Sequence, residues 1–395
     1  MIAPEPFFEP RGTPFSEYHR IRALTELGHT VDLVTYPFGE DVSMPGLRVF
    51  RCVRPPLIRR IGIGPSFAKV PLDLALTLTA VRRAMSTRYD VVHSHEEGAA
   101  IGVVLAALLG VPHLYDMHSS LPQQLTNFKF SRSRILRWSF EQFERVAVGR
   151  SRVVIVICPE LERLVKELRP AQDPVLIENA PGAGDVASGG DRAAVRARYG
   201  LDVRTPVILY TGTFEAYQGL DLLFVAMKDV LQARPDARLL LAGGRPPQVE
   251  QARREAEGLG LGQAVIFAGE RPADEIPALL DAADVLVSPR SRGTNTPLKI
   301  YQYLRSGRVI VATRLLTHTQ VLDDSVSILT PPTPDGFAAG ILRALDDPDE
   351  TARLGAAAAT LAATKYSYEA YLARTRQACA HLFGDRAPQM AGKVA

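Results

Sequence analysis

Residues 287–313, VSPRSRGTNTPLKIYQYLRSGRVIVAT, read as a strand, a loop, a helix and a second strand. Thr296 before Pro297 resembles an N-cap followed by proline at the first helical position, which predicts a helix from there to about Ser306 and Gly307. A helix start offers free N–H groups and the positive end of a dipole. With Arg290, Arg292 and Lys299 close in sequence, the stretch has the chemistry to hold an anion such as a nucleotide diphosphate. The loop also follows a strand's carboxyl end, where doubly wound sheets bind ligands. Two further stretches, HSHEEGAA (93–100) and YDMHSSLPQQ (115–124), each follow a short apolar run and carry Glu96, Asp116 and His118. Their histidines lack a metal-ligand spacing, so no metal is expected.

The elements that must position these residues alternate. Strand-like runs fall at 31–35, 47–53, 91–93, 113–115, 153–157 and 175–177, with helical patterns between them. A second series follows at 207–210, 239–242, 265–267, 285–287, 309–312 and 327–329. The implied class is α/β, two Rossmann-like domains with parallel sheets and a shared cleft. The division predicted is 1–180, a linker at 181–192 within APGAGDVASGG and its flank, 193–365, a returning helix at 366–384, and a tail at 385–395. Only three residues precede Pro4, so the leading strand is expected to be short.

Composition agrees. The 395 residues are 46% hydrophobic and 23% charged, which suits globular domains and excludes disorder. Lys+Arg 46 against Asp+Glu 43 leaves +3, too little to imply a nucleic-acid partner. Cys52, Cys158 and Cys379 are far apart and suggest a reducing, cytoplasmic setting, and no signal peptide is read at the start. The most apolar run, 98–111, is too short to span a bilayer and reads as a buried helix.

Four pieces in order resemble one family: LYTGTFEAYQGLDLL (209–223), LLLAGG (239–244), FAGERPADEIPALLDAADVLVSP (267–289) and PLKIYQYLRSGRVIVAT (297–313). They are similar to the donor-site segments of retaining GT-B glycosyltransferases, the large family that includes bacterial phosphatidylinositol mannosyltransferases. The resemblance implies a metal-independent hexosyltransferase using a nucleotide-diphosphate sugar, UDP ahead of GDP, with no separate cofactor. Donor contacts would come from Gly212, Thr213, Gln218, Arg290, Arg292, Thr294, Asn295, Thr296, Pro297, Leu298, Lys299 and Gln302. Thr294 and Gln302 stand where the family has paired glutamates, and Thr213 and Gln218 where it has arginine and lysine. In the first domain, the loop EPRGTP (9–14) resembles the family's glycine loop, placing Gly12 and Thr13 at the donor and Arg11 at the diphosphate or acceptor. His118 falls where relatives carry a histidine near the donor sugar. Asp116 would orient it or bind acceptor, and Glu96 is a further acid or base; His118, Asp116 and Lys299 form the expected catalytic set.

Basic and apolar residues alternate in two places. Arg51, Arg54, Arg59 and Arg60 flank residues 55–58 and precede IGIGPSFAKVPLDLAL (61–76), while Arg134, Arg137 and Trp138 lie on a second such helix. Both suit an anionic membrane surface and a lipid-linked acceptor on the cytoplasmic face. A soluble small-molecule or polysaccharide acceptor, a sugar-nucleotide epimerase and a non-catalytic sugar-nucleotide-binding subunit are the alternatives.

Overall fold

The computed structural model describes residues 1–9, 12–56, 58–59, 61, 66–122, 133–179 and 191–383. The chain forms two units, Met1–Asn179 with Glu369–Ala395, and Ala180–Tyr368.

The first unit holds seven parallel strands in the order β3-β2-β1-β4-β5-β6-β7. They are β1 (Ile2–Ala3), β2 (Val31–Thr35), β3 (Leu47–Arg51), β4 (Val92–His95), β5 (His113–Met117), β6 (Val153–Val156) and β7 (Val175–Leu176). Helices α1 (Gly12–Glu26), α2 (Lys69–Ser86), α3 (Ala99–Leu109), α4 (Arg134–Arg150) and α5 (Pro159–Leu168) complete its first part. The short β1 lies centrally, pairing β2 through Ile2 and Ala3 and β4 through Ile2. Because the chain runs outward from β1 to β3 and then resumes on β1's other side with β4, direction reverses between β1 and β4. The strand expected at 91–93 runs on to His95, and the one at 113–115 to Met117. The apolar run at 98–111, read from the sequence as a buried helix, is a helix buried on one face only. Gly102, Leu105 and Ala106 of α3 are buried, but Val104 and Leu108 face solvent.

The second unit is a six-stranded parallel sheet, β10-β9-β8-β11-β12-β13. Its strands are β8 (Val207–Thr211), β9 (Arg238–Ala242), β10 (Val265–Gly269), β11 (Val285–Ser288), β12 (Val309–Thr313) and β13 (Ile328–Thr330). Around them lie α6 (Arg192–Arg198), α7 (Leu220–Ala233), α8 (Pro246–Gly258), α9 (Ile276–Ala282), α10 (Leu298–Ser306), α11 (Leu316–Thr319), α12 (Pro334–Asp346) and α13 (Pro348–Lys365). Strand alternation divides the core in two. Ile208, Leu239, Val285 and Val309 pack with Phe224, Met227 and Phe337 on one face, and Val207, Leu240, Leu286 and Ile310 with Ile300, Tyr303 and Leu304 on the other. Here direction reverses between β8 and β11. A last helix, α14 (Tyr368–Phe383), returns to the first unit from Glu369 onward.

Candidate active site

In the second unit, the loops after β8 and β11 meet α10 at the reversal point. Gly212 ends β8 at φ +132°, a backbone conformation that favours glycine, and a Cβ there would lie 3.5 Å from Lys299 Nζ. Gly243, after β9, must also be glycine: a Cβ would stand 2.0 Å from the Gly212 carbonyl oxygen. The helix starts one residue later than the sequence predicts. Pro297 occupies the cap with ψ 135°, and no side chain caps the helix, which ends at Gly307 in the left-handed region. Thr296 is therefore not the cap. Its buried Oγ1 has no hydrogen-bond partner.

Lys299, on the first turn of α10, is buried. Its Nζ lies 3.7 Å from the Tyr210 ring centroid and donates a 3.4 Å hydrogen bond to Gln218 Oε1. Gln218 in turn donates to Thr213 Oγ1 at 3.3 Å. Arg290 Nη1 donates to the Asn295 carbonyl and to Thr317 Oγ1, both at 2.8 Å, and the guanidinium lies 5.0 Å from the Tyr217 ring centroid. Burial, and then the nearby Arg290, hold the Lys299 ammonium well below its ordinary range, and burial also lowers Arg290. Lys299 and Arg290 are two desolvated cations, neither ion-paired with a carboxylate among the described residues, and such an arrangement can hold an anion. The other expected donor residues sit around them differently. Arg292 is exposed, Thr294 and Gln302 are half-buried, and the Thr294 carbonyl accepts from Gln320 Nε2 at 2.6 Å. Leu298 opens α10.

In the first unit, the ends of β1, β4 and β5 bring together Glu5, His95, Glu96, Asp116 and His118. Asp116 accepts from Arg20 Nε at 2.8 Å, in an ion pair with both groups buried. His118 Nε2 lies 3.2 Å from Asp116 Oδ1 and 3.3 Å from His95 Nδ1. Although burial opposes it, Arg20 and His118 hold the Asp116 carboxyl well below its ordinary range. Burial lowers His93 to about 4 and holds His95 well below its ordinary value, so both rings are neutral near pH 7. Glu96 takes φ +47° and accepts from Ser119 Oγ at 2.8 Å. Gly12 and Thr13 open α1, whereas Arg11, Arg60, residues 181–190 of the expected linker and the expected tail lie outside the described residues; the linker's last two positions, Asp191 and Arg192, instead cap and open α6.

Sequence reading missed Arg20, Glu5 and Glu17. The signal available for Glu17 was its place one turn into α1, where the buried face also carries His19 and Arg20. Burial raises Glu17 from 4.5 to about 8. Between those values the folded chain holds a proton that the unfolded chain has released, so stability falls as pH rises through this window, by up to about 1.4 kcal/mol per unit. Glu17→Gln removes that titration. Its melting temperature relative to the parent is expected to climb from pH 5 to pH 8, and parallel profiles would contradict the assignment.

Two doubly wound parallel sheets, one with a buried cationic site at its reversal point, define a nucleotide-binding α/β enzyme of the GT-B class. Residues 18–180 match the "Glycosyl transferase 4-like domain" and residues 191–360 match "Glycosyl transferases group 1". The alpha-D-kanosaminyltransferase of Streptomyces kanamyceticus is 30% identical over 73% of this chain and 76% of its own length. A D-inositol 3-phosphate glycosyltransferase of Corynebacterium jeikeium (strain K411) is 29% identical over 70% of this chain and 68% of that protein. Among solved structures, HepE of Anabaena in complex with UDP and glucose superposes with TM-score 0.73 at 17% identity, over 95% of this chain and 98% of HepE. The chain belongs to the group 1, GT4-like glycosyltransferases, and it is a glycosyltransferase with a nucleotide-sugar donor.

Proposed function

We propose that the chain is a retaining hexosyltransferase that moves a sugar from a nucleoside diphosphate, UDP ahead of other bases, to a hydroxyl of a polar acceptor without a catalytic metal. The observation that carries this reading is the buried Lys299 and Arg290 pair, which a diphosphate would neutralise. As the sugar's anomeric C–O bond to the diphosphate breaks, charge grows on the leaving oxygen, where these cations and the α10 amino end stabilise it. The acceptor oxygen bonds the anomeric carbon from the same face, and its proton passes to the leaving phosphate. His118 and Asp116 are proposed to sit beside the sugar and acceptor. HepE's complex with UDP and glucose supports the donor, and the inositol phosphate named for the Corynebacterium relative supports a small acceptor.

A thermal-shift panel of UDP, GDP, ADP and TDP with their sugars tests the donor. UDP is expected to raise the melting temperature by several degrees at saturating concentration. No shift with any nucleotide would sink the reading, and donor turnover to an epimer without acceptor would replace transfer by epimerisation.

A second reading keeps the acceptor on a lipid at an anionic membrane face. It rests on α2, whose Val70, Leu74, Leu78, Val81 and Met85 form one exposed apolar stripe opposite buried Leu72, Leu76 and Ala80. Arg59, Arg134, Arg137 and Trp138 are exposed as well, with Arg137 paired to Glu141. Arg51 is different: it donates to the carbonyls of Phe7, Phe38 and Glu40 and is a structural clamp. No helix among the described residues is long and apolar enough to cross a membrane. Replacing Leu74 and Leu78 by glutamine is expected to weaken binding to phosphatidylglycerol vesicles by about tenfold per side chain. Unchanged co-sedimentation would remove this reading.

A further inference from the structure

Strands β11 and β12 are parallel neighbours, paired from Val285 with Val309 to Ser288 with Ala312, so the loops leaving their carboxyl ends lie side by side. The loop after β11, 289–297, carries Arg290 and leads to Lys299; the loop after β12, 314–320, contains α11. Three side chains reach from β12 and its loop to the backbone of the other. Thr313 Oγ1 donates to the Arg290 carbonyl at 2.7 Å, Thr317 Oγ1 to the Asn295 carbonyl at 2.6 Å, and Gln320 Nε2 to the Thr294 carbonyl at 2.6 Å. Thr317 Oγ1 also accepts from Arg290 Nη1 at 2.8 Å, and Nη1 shares the Asn295 carbonyl at 2.8 Å. Hydroxyl, guanidinium and carbonyl close a triangle in which each meets the other two.

This clamp has its own anchor. His318 is fully buried, and burial lowers it to about 3, so the ring is neutral near pH 7. Its Nδ1 lies 2.7 Å from the Thr313 carbonyl oxygen, which only accepts, so Nδ1 carries the proton and Nε2 accepts from the Ser288 hydroxyl at 2.9 Å. Ser288 ends β11 and Thr313 ends β12, and the ring therefore staples both strands where the two loops depart. Thr317 and Gln320, three residues apart on the short turn around His318, meet consecutive carbonyls. On the far side of the same loop, Ser291 N–H donates to the Tyr217 carbonyl at 3.1 Å, next to Gln218, the partner of Lys299.

The partners of Arg290 are the Asn295 carbonyl, the Thr317 hydroxyl and the Tyr217 side chain. Neutral partners set the direction of a guanidinium without cancelling its charge, which stays available to an anion. We infer that Thr317 and Gln320 are positioning residues of the donor site: Thr317 aims the Arg290 guanidinium at the diphosphate, and both hold the 290–295 backbone in the form that receives it. The inference rests on the sugar-transfer reading and makes the loop after β12 a template for the loop after β11. Preorganisation of this kind removes reorientation from the cost of stabilising a leaving group.

The test reads UDP affinity by titration calorimetry on the full chain, beside the melting temperature without ligand. Thr317→Val keeps the volume and deletes the hydroxyl, while the Asn295 carbonyl retains Arg290 Nη1 as donor. It is expected to weaken UDP binding by about tenfold and to lower the unliganded melting temperature by no more than about 3 °C. Thr317→Ser, which keeps the hydroxyl, should bind UDP within about twofold of the parent. Gln320→Leu, at a half-buried position, should weaken UDP by about threefold, because it frees the loop backbone without touching the cation, and it carries the test if Thr317→Val does not fold. A parent that binds no nucleoside diphosphate would remove the donor reading and this inference with it. A parent that binds UDP while Thr317→Val or, in its place, Gln320→Leu binds it equally well would overturn the inference alone. So would a loss of affinity in Thr317→Val that Thr317→Ser shares, or a lowered melting temperature with UDP affinity intact, the mark of a purely structural clamp.

Discussion

Lys299→Met is expected to abolish stabilisation by UDP and to cut donor kcat/KM by about 30- to 200-fold, equivalent to about 2–3 kcal/mol for a lost hydrogen bond to a charged group. The unliganded protein should be as stable as the parent or more so. The reason lies in the burial of the ammonium beside Arg290, with only a long 3.4 Å hydrogen bond to Gln218 and the face of Tyr210 to hold it. A desolvated charge repelled by its neighbour costs folding free energy, whereas methionine fills the same volume without that cost. A functional group kept at the expense of stability is the signature of a binding site. Paired melts with and without millimolar UDP read both halves of the prediction. A variant that melts lower without ligand and keeps its UDP shift would show that Lys299 is a structural residue.

The second large effect concerns folding. Asp116→Ala is expected to destabilise the first unit by about 3–5 kcal/mol, because it strands the Arg20 guanidinium in a site where both partners are almost fully buried. That is a large fraction of an ordinary domain's stability. Replacing both members, Arg20→Met with Asp116→Ala, should recover much of the loss, and urea melts of the two singles and the double give the coupling directly. Because the folded carboxyl is held well below its ordinary value, its stabilising contribution is present above about pH 4 and is lost as pH falls toward the folded value. Additive single effects would mean that the pair is not coupled.

How far the sequence reaches depends on the period of its signals. Apolar runs such as VILYT at β8 and VIVAT at β12 are buried on both faces, and a run of that kind announces a central parallel strand. The loops after β8 and β11 were legible for the same reason, since each follows such a run and carries glycine or cations. The start of α10 was not. Thr296 has a cap's chemistry, but Pro297 takes an extended conformation and moves the helix one residue on, so the threonine hydroxyl lies buried instead. The acidic cluster was hidden more completely. Glu5 follows a two-residue strand and Glu17 lies on a helix whose residues alternate between polar and apolar without a clear stripe, so neither periodicity nor spacing connects them. Their convergence is a product of tertiary structure, in which β1 pairs with β4 and α1 packs its buried face, carrying Glu17, into the same unit.

Helix α14 gives the first unit an unusual dependence on time. Thr375 Oγ1 accepts from Arg20 at 3.2 Å, Tyr371 lies 4.9 Å under the same guanidinium, and Arg374 pairs with Glu178. These supports are therefore synthesised some 200 to 350 residues after the residues they hold, as Arg374 follows Glu178 by 196 and Thr375 follows Arg20 by 355. On the ribosome, the second unit has its whole sequence before the first unit has its last helix. The part made first is finished last, and a chain stopped before Tyr371 would carry Arg20 in a half-built core, an early mark by which quality control could recognise an unfinished protein.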